Sequence, residues 1–224
     1  MGEMPLITDT DERKKGQTSN SRNVKLMAIG LSLTLFVLSG PVDAQADVNL
    51  TLHMLQHMSL FIGSAVFGYG LERFLFSKLL VLRKRAYIVW KVFTLIIRFN
   101  AKTKGLVFAA LVPAIVFTYW HYPANFDLAV LNENVHILEH ACYIIAGSLV
   151  GLSLVAIPRK IRYVLAYAGF MQAGMMGSMM LVWPTFFPIF SAAQNTTMET
   201  FLMMFGAIGV AGISSWMLKA FDVI

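Results

Sequence analysis

Five histidines stand in this chain, at positions 53, 57, 121, 136 and 140. Four of them form two HxxxH pairs, His53-Met54-Leu55-Gln56-His57 and His136-Ile137-Leu138-Glu139-His140. Residues four apart on a helix share a face, with Cβ atoms about 5–6 Å apart. Two imidazoles so placed can chelate one metal ion. One such pair would be a weak signal; two pairs among five histidines are the informative observation. The competing reading is interfacial hydrogen bonding, with imidazoles at helix ends facing headgroups or water. The double pairing favours metal or haem binding, with His121 as a fifth candidate ligand. Copper suits imidazole ligands in an oxidising outer compartment, and thioethers nearby suit Cu(I). Zinc and bis-histidine haem stay open as alternatives.

Methionine is the other abundant type, with 14 in the chain. Met54 and Met58 directly follow His53 and His57. They lie about 100° round the helix from those histidines, so they are candidate thioether ligands that need not join the same ion. Met171, Met175 and Met179 form a stripe at helical spacing, and Met175 and Met179 are its candidate ligands. The ordinary reading of such a stripe is adaptable packing. Cys142, the single cysteine, forms no intrachain disulfide. It lies two residues past His140, nearly on the opposite helix face, and reads as a packed thiol. His136-Ile137-Leu138-Glu139-His140 also fits the inverted zinc-peptidase pattern, in which Glu139 would be a general base. Its counterpart in the other pair is Gln56, which cannot be one. With neither a nucleotide-binding loop nor a nucleophile elbow in the sequence, no catalytic activity of its own is expected.

The elements that must hold these side chains follow from composition. Hydrophobic residues make up 57% of the 224 positions and charged residues 13%. An ordinary soluble domain carries about a quarter charged residues, and a soluble chain of this size could not hide so much apolar surface. A soluble enzyme, a nucleic-acid binder and a disordered chain are therefore excluded. The expected fold class is all-α, a polytopic transmembrane bundle of five or six spans. Apolar segments run at about 50–71, 105–120, 136–157, 163–183 and 199–218, most of them near the roughly 20 residues that cross a bilayer. The 105–120 segment is short and contains Pro113. Residues 1–23 read as a polar cytoplasmic tail. Residues 24–46 read as a signal peptide or a signal anchor, with Arg22 and Lys25 before the apolar run and Ala44-Gln45-Ala46 after it. Residues 47–224 form the transmembrane domain. Within it, 72–104 is expected to stay cytoplasmic. Lys84, Lys91 and Arg98 recur every seven residues among Val89, Phe93 and Ile96, which predicts a basic amphipathic helix along the interface with Trp90 near the headgroups.

Charge placement sets the expected orientation. The 18 Lys and Arg fall within 13–25, 73–104, 159–162 and at 219, and the connections 41–52, 121–135 and 184–198 contain none. Basic and non-basic connections alternate, as the positive-inside rule requires. The N-terminal tail and the C-terminus are then cytoplasmic, in a multi-pass plasma-membrane protein, and all five histidines lie at the outer face. The net charge of +6 reports orientation and needs no nucleic-acid partner. Asn195-Thr196-Thr197, in an outer connection, matches a glycosylation acceptor, a pattern common by chance. Segments 53–70 and 136–153 also align at an offset of 83, pairing His53 with His136, His57 with His140 and Gly68 with Gly151. This spacing predicts an internal repeat.

Leu52-His53-Met54-Leu55-Gln56-His57-Met58 resembles the first histidine motif of the CtaG-type cytochrome c oxidase assembly proteins. Leu138-Glu139-His140 with Gly147 resembles their second motif. Met171-Gln172-Ala173-Gly174 through Met180-Leu181-Val182-Trp183-Pro184 resembles their third. Related archaeal membrane proteins of unknown function share these features, and the likeness covers roughly 50–220. It implies help in maturing a copper-containing respiratory enzyme at the outer membrane face. Two other function classes are weighed. One is a permanent structural subunit of a membrane oxidoreductase, such as an ammonia-monooxygenase-type copper enzyme, packed through glycines including Gly63, Gly206 and Gly209. The other is a haem- or quinone-linked electron carrier. The expected partners are membrane lipids and the subunits of a membrane oxidoreductase.

Overall fold

A computed structural model describes residues 9–85, 87–103 and 105–221. Within helices it does not describe the side chains of 9–20, 76–90, 93, 97 and 220. The described residues form helices joined by short turns, as the composition predicts. They are α1 (Asp9–Val37), α2 (Gly40–Ala46), α3 (Leu50–Arg85), α4 (Tyr87–Lys102), α5 (Val112–Trp120), α6 (Pro123–Leu131), α7 (Glu133–Ser153), α8 (Arg159–Val182) and α9 (Ala192–Ala220). Among the described residues, four stretches are long and apolar enough to cross a bilayer alone: Leu50–Leu75, Glu133–Ser153, Arg159–Val182 and Ala192–Lys219. Two bent pairs, α1 with α2 and α4 with α5, raise the number to as many as six.

Local chemistry explains the breaks. Pro41 opens α2 and Pro123 opens α6, since a proline in the first turn gives up an N–H that has no helical partner. The 92° bend between α4 and α5 turns at Gly105, whose φ of 72° is costly for a side-chain-bearing residue. A π-helical turn over Val107–Leu111 follows. It absorbs Pro113, which cannot donate back to the preceding turn. Lys91 and Arg98 of α4 are exposed and Asn100 is buried, with its Nδ2 donating to the Leu152 carbonyl at 3.2 Å. Lys84, Val89, Trp90 and Phe93 of the expected amphipathic helix lie outside the described side chains, and residues 1–8 of the expected tail lie outside the described residues. Helix α1 starts at Asp9, within the stretch read as a tail, and α9 starts at Ala192, ahead of the apolar run read from 199.

The expected repeat has a structural counterpart. Helix α1 packs along α3, and α5 with its π turn packs along α7. In each half a short proline-opened helix, α2 or α6, leads into the helix that carries the histidine pair and packs beside it. The offset of 83 also relates the caps. Asn49 Oδ1 accepts from Leu52 N at 3.1 Å, and Asn132 Oδ1 accepts from Asn134 N at 3.1 Å and Val135 N at 3.3 Å. The first histidine of each pair follows its asparagine by four residues and donates its backbone N–H to that residue's carbonyl at 2.9 Å.

Helices α3 and α7 meet at glycines. A side chain at Gly68 would collide with the Ser148 carbonyl, and one at Gly151 with the Ala65 carbonyl. The offset of 83 carries Gly68 to Gly151 and Ala65 to Ser148, so these are one contact seen twice. Reciprocity of this kind marks a two-fold relation between the packed surfaces. Gly147 is closed off by Phe61 and Ser64 in the same seam. Elsewhere Gly206 backs onto Gly174 and joins α8 to α9. The outward faces of these two helices are apolar, with Met175, Leu181, Met204, Ile208 and Trp216 exposed. That is the surface a bilayer covers.

Candidate metal centre

All five histidines form one connected group. Ring centroids are 4.4 Å apart for His53 and His57, 4.2 Å for His136 and His140, 5.5 Å for His53 and His136, and 5.5 Å for His57 and His140. His121 lies 6.4 Å from His57. The glycine seam brings the two pairs face to face, because it lets the α3 and α7 backbones approach within the thickness of a missing side chain. The asparagine caps then set each pair one turn from its helix start.

Two donor sets emerge. In the first, His53 and His57 meet Glu139 from the facing helix. Glu139 Oε2 lies 3.5 Å from His57 Nε2 and 4.0 Å from His53 Nε2, and all three side chains are fully buried. Among the described residues, both ring nitrogens of His57 and both Glu139 oxygens lack a hydrogen-bond partner. A buried polar atom without a partner costs about 1–3 kcal/mol, and a charged one more. In the second set, His136 Nε2 and His140 Nε2 share a hydrogen bond at 2.9 Å, and Asp43 Oδ1 lies 3.6 Å from His136 Nε2. Nitrogens bound to one ion at about 2.0–2.1 Å sit about 2.9–3.4 Å apart for bond angles of about 90–110°. Asp47 Oδ1 approaches the other ring nitrogen of His136 at 3.6 Å, the place where a carboxylate orients a ligating imidazole. The side chain of Asp43 is 40% exposed, so this set opens toward the surface while the first is closed.

The surroundings keep the rings in place. His53 packs on Phe126 and Phe190, and the His57 ring stacks on Tyr143 at 4.5 Å. Phe126 belongs to a buried cluster with Leu50, Met54, Met180, Phe187 and Met198, and Tyr143 to a second with Val37, Leu60, Trp120 and Ala129. The donor sets therefore sit between two apolar clusters. Asn195 fastens the 183–191 loop beside His53. Its Nδ2 donates to the carbonyls of Phe187, Phe190 and Ser191, and its Oδ1 accepts from Phe187 N at 3.0 Å. This buried amide is structural, and the sequon reading falls with it.

His121 caps α5 beside this group. Its Nδ1 donates to the Phe117 carbonyl at 2.8 Å, and the Tyr143 hydroxyl lies 3.3 Å from the same nitrogen. Desolvation against Phe117 and Tyr143 pushes its pKa down to about 4. A neutral ring with Nδ1 donating leaves Nε2 as its lone pair. Met54 is buried in the apolar cluster and Met58 is half-buried, while Met175 and Met179 are exposed on α8.

A family model described as cytochrome c oxidase caa3 assembly factor matches residues 10–201. The chain belongs to this family. The matched region holds all five histidines, Asp43, Asp47 and Glu139. An assembly factor of a membrane oxidase works beside it, which agrees with a chain carrying four to six candidate spans. Comparison with curated proteins and with solved structures found no match.

Asp43, Asp47, Tyr143 and the two capping asparagines were not legible as site residues, and Glu139 entered only as a rejected catalytic base. One signal was available for Glu139. A carboxylate inside an apolar span is expensive and marks a functional position by default. Gln56 was also read only as its counterpart. Its Nε2 donates to Asp43 Oδ1 at 2.8 Å and to the Val37 carbonyl at 2.9 Å, so it carries Asp43 to the second histidine pair.

Proposed function

We propose that this member of the oxidase assembly factor family holds a copper ion at the outer face of the plasma membrane and passes it to a copper-containing oxidase. The observation that carries this reading is the convergence of His53, His57, His136 and His140, with the buried ring nitrogens of His57 lacking a hydrogen-bond partner among the described residues. Imidazole and carboxylate donors fit a borderline transition ion, copper or zinc, and the membership in an oxidase assembly family favours copper. The ion is cargo, so the chain's own work is to bind it, shield it from water and release it. His121 stands next to His57 as a further ligand during transfer.

Orientation follows from the basic connections, which put both histidine pairs on the non-cytoplasmic side. The apolar faces of α8 and α9 meet lipid or the oxidase subunits. Replacing His57 and His140 together by Ala should strip the metal from purified, gently solubilised protein. Metal content equal to that of the wild type would end this reading. Haem ligation is tested in the same sample, since it would give a Soret band.

A further inference from the structure

We infer that the histidine cluster is two cation sites related by the internal repeat, a closed one at His53, His57 and Glu139 and an open one at His136, His140 and Asp43. This deepens the metal reading above and rests on it. Each site takes its imidazole pair from one helix and a polar side chain at the 56/139 position from the other. Glu139 of α7 faces the pair on α3 and supplies a carboxylate directly, 3.5 Å from His57 Nε2. Gln56, at the equivalent place on α3, has no charge to offer. It holds Asp43 Oδ1 at 2.8 Å instead, and the same oxygen lies 3.6 Å from His136 Nε2. The carboxylate of the second site is thus delivered by a neighbouring short helix through an amide on the facing helix.

The separations inside each set, 3.5 and 4.0 Å from Glu139 to the first pair and 2.9 and 3.6 Å in the second, are close to those of donors that share one ion. Four imidazoles on a single ion would leave both carboxylates without a cation. Two ions give each carboxylate one cation and each imidazole pair one centre. The sites differ in access. The first is fully buried, whereas Asp43 is 40% exposed. The open site is the one that loads and exchanges, and the closed site is the one that retains. Both accept an imidazole-seeking transition cation of the copper or zinc class.

The test is a Zn(II) titration of the full chain in detergent, followed by removal with a chelator. Wild-type protein should take two ions per chain, one stripped rapidly and one slowly. Glu139→Gln should weaken the slowly stripped ion about 10-fold or more, since losing even an outer-shell partner costs about 10- to 100-fold, and leave the other within a few-fold. Asp43→Asn should do the reverse. Both changes keep side-chain shape, and helicity with thermal unfolding of the metal-free variants controls for folding. One ion per chain, weakened alike by both substitutions, would overturn the two-site inference and leave metal binding standing. Two ions insensitive to both substitutions would overturn the residue assignment. No ion in the wild type would overturn this inference and the proposed function together.

Discussion

Glu139 concentrates the physical tension of this protein. Its side chain is fully buried, both oxygens lack hydrogen-bond partners among the described residues, and histidine nitrogens lie 3.5 and 4.0 Å from Oε2. A buried polar group without a hydrogen bond costs about 1–3 kcal/mol, a cost that an apolar side chain of similar size does not carry. Glu139→Leu should therefore leave the metal-free protein as stable as the wild type or raise its unfolding temperature. A clear fall in that temperature would mean that the carboxylate stabilises the fold without an ion. Gln56 makes the complementary point. A residue that looks like a failed copy of Glu139 has hydrogen-bonding work of its own, holding Asp43 against the second pair.

Helix α3 against helix α7 is the contact on which the site depends. Gly68, Gly147 and Gly151 each face a backbone carbonyl of the other helix, with no room for a side chain. Without water to drive association, close packing and polar contacts hold membrane helices together. Gly147→Val should push the helices apart and cost about 1–3 kcal/mol, the usual penalty for overpacking. Because the histidine pairs lie on these same two helices, metal affinity should fall with stability, although no ligand is altered. Normal metal uptake by a destabilised Gly147→Val protein would show that the seam does not position the rings. The asparagine caps act at the same scale. They start both helices at equivalent points, so that His53 and His136 arrive at one level.

At the scale of the whole molecule, the histidine cluster sits where α3 and α7 begin, and the exposed faces of α8 and α9 are largely apolar. Orientation can be read with single cysteines in a Cys142→Ser background. Ser191→Cys, on the loop beside the histidines, should react with an impermeant maleimide in intact cells. Arg159→Cys, at the opposite end of α8, should react only after lysis. Reversed labelling would place the metal cluster in the cytoplasm and remove a role at the outer face. The two-fold relation between halves also bears on handling an ion. Two equivalent scaffolds that present unequal carboxylates, one buried and one exposed, make neighbouring sites with different exchange rates.

Much of this was determined by the sequence. Composition made the chain a membrane-embedded helical protein, because so much apolar surface has no other solvent. Helical spacing put His53 with His57 and His136 with His140, since four residues make slightly more than a turn. The offset of 83 linked the halves through matching side chains. Only the tertiary structure decided which groups complete each pair. Glu139 reaches the pair on the other helix, and Asp43 comes from a short helix about 90 residues before the histidines it faces. Periodicity describes one helix at a time. It carries no information about which face meets which neighbour, and that choice was made by glycines whose only signal is the absence of a side chain.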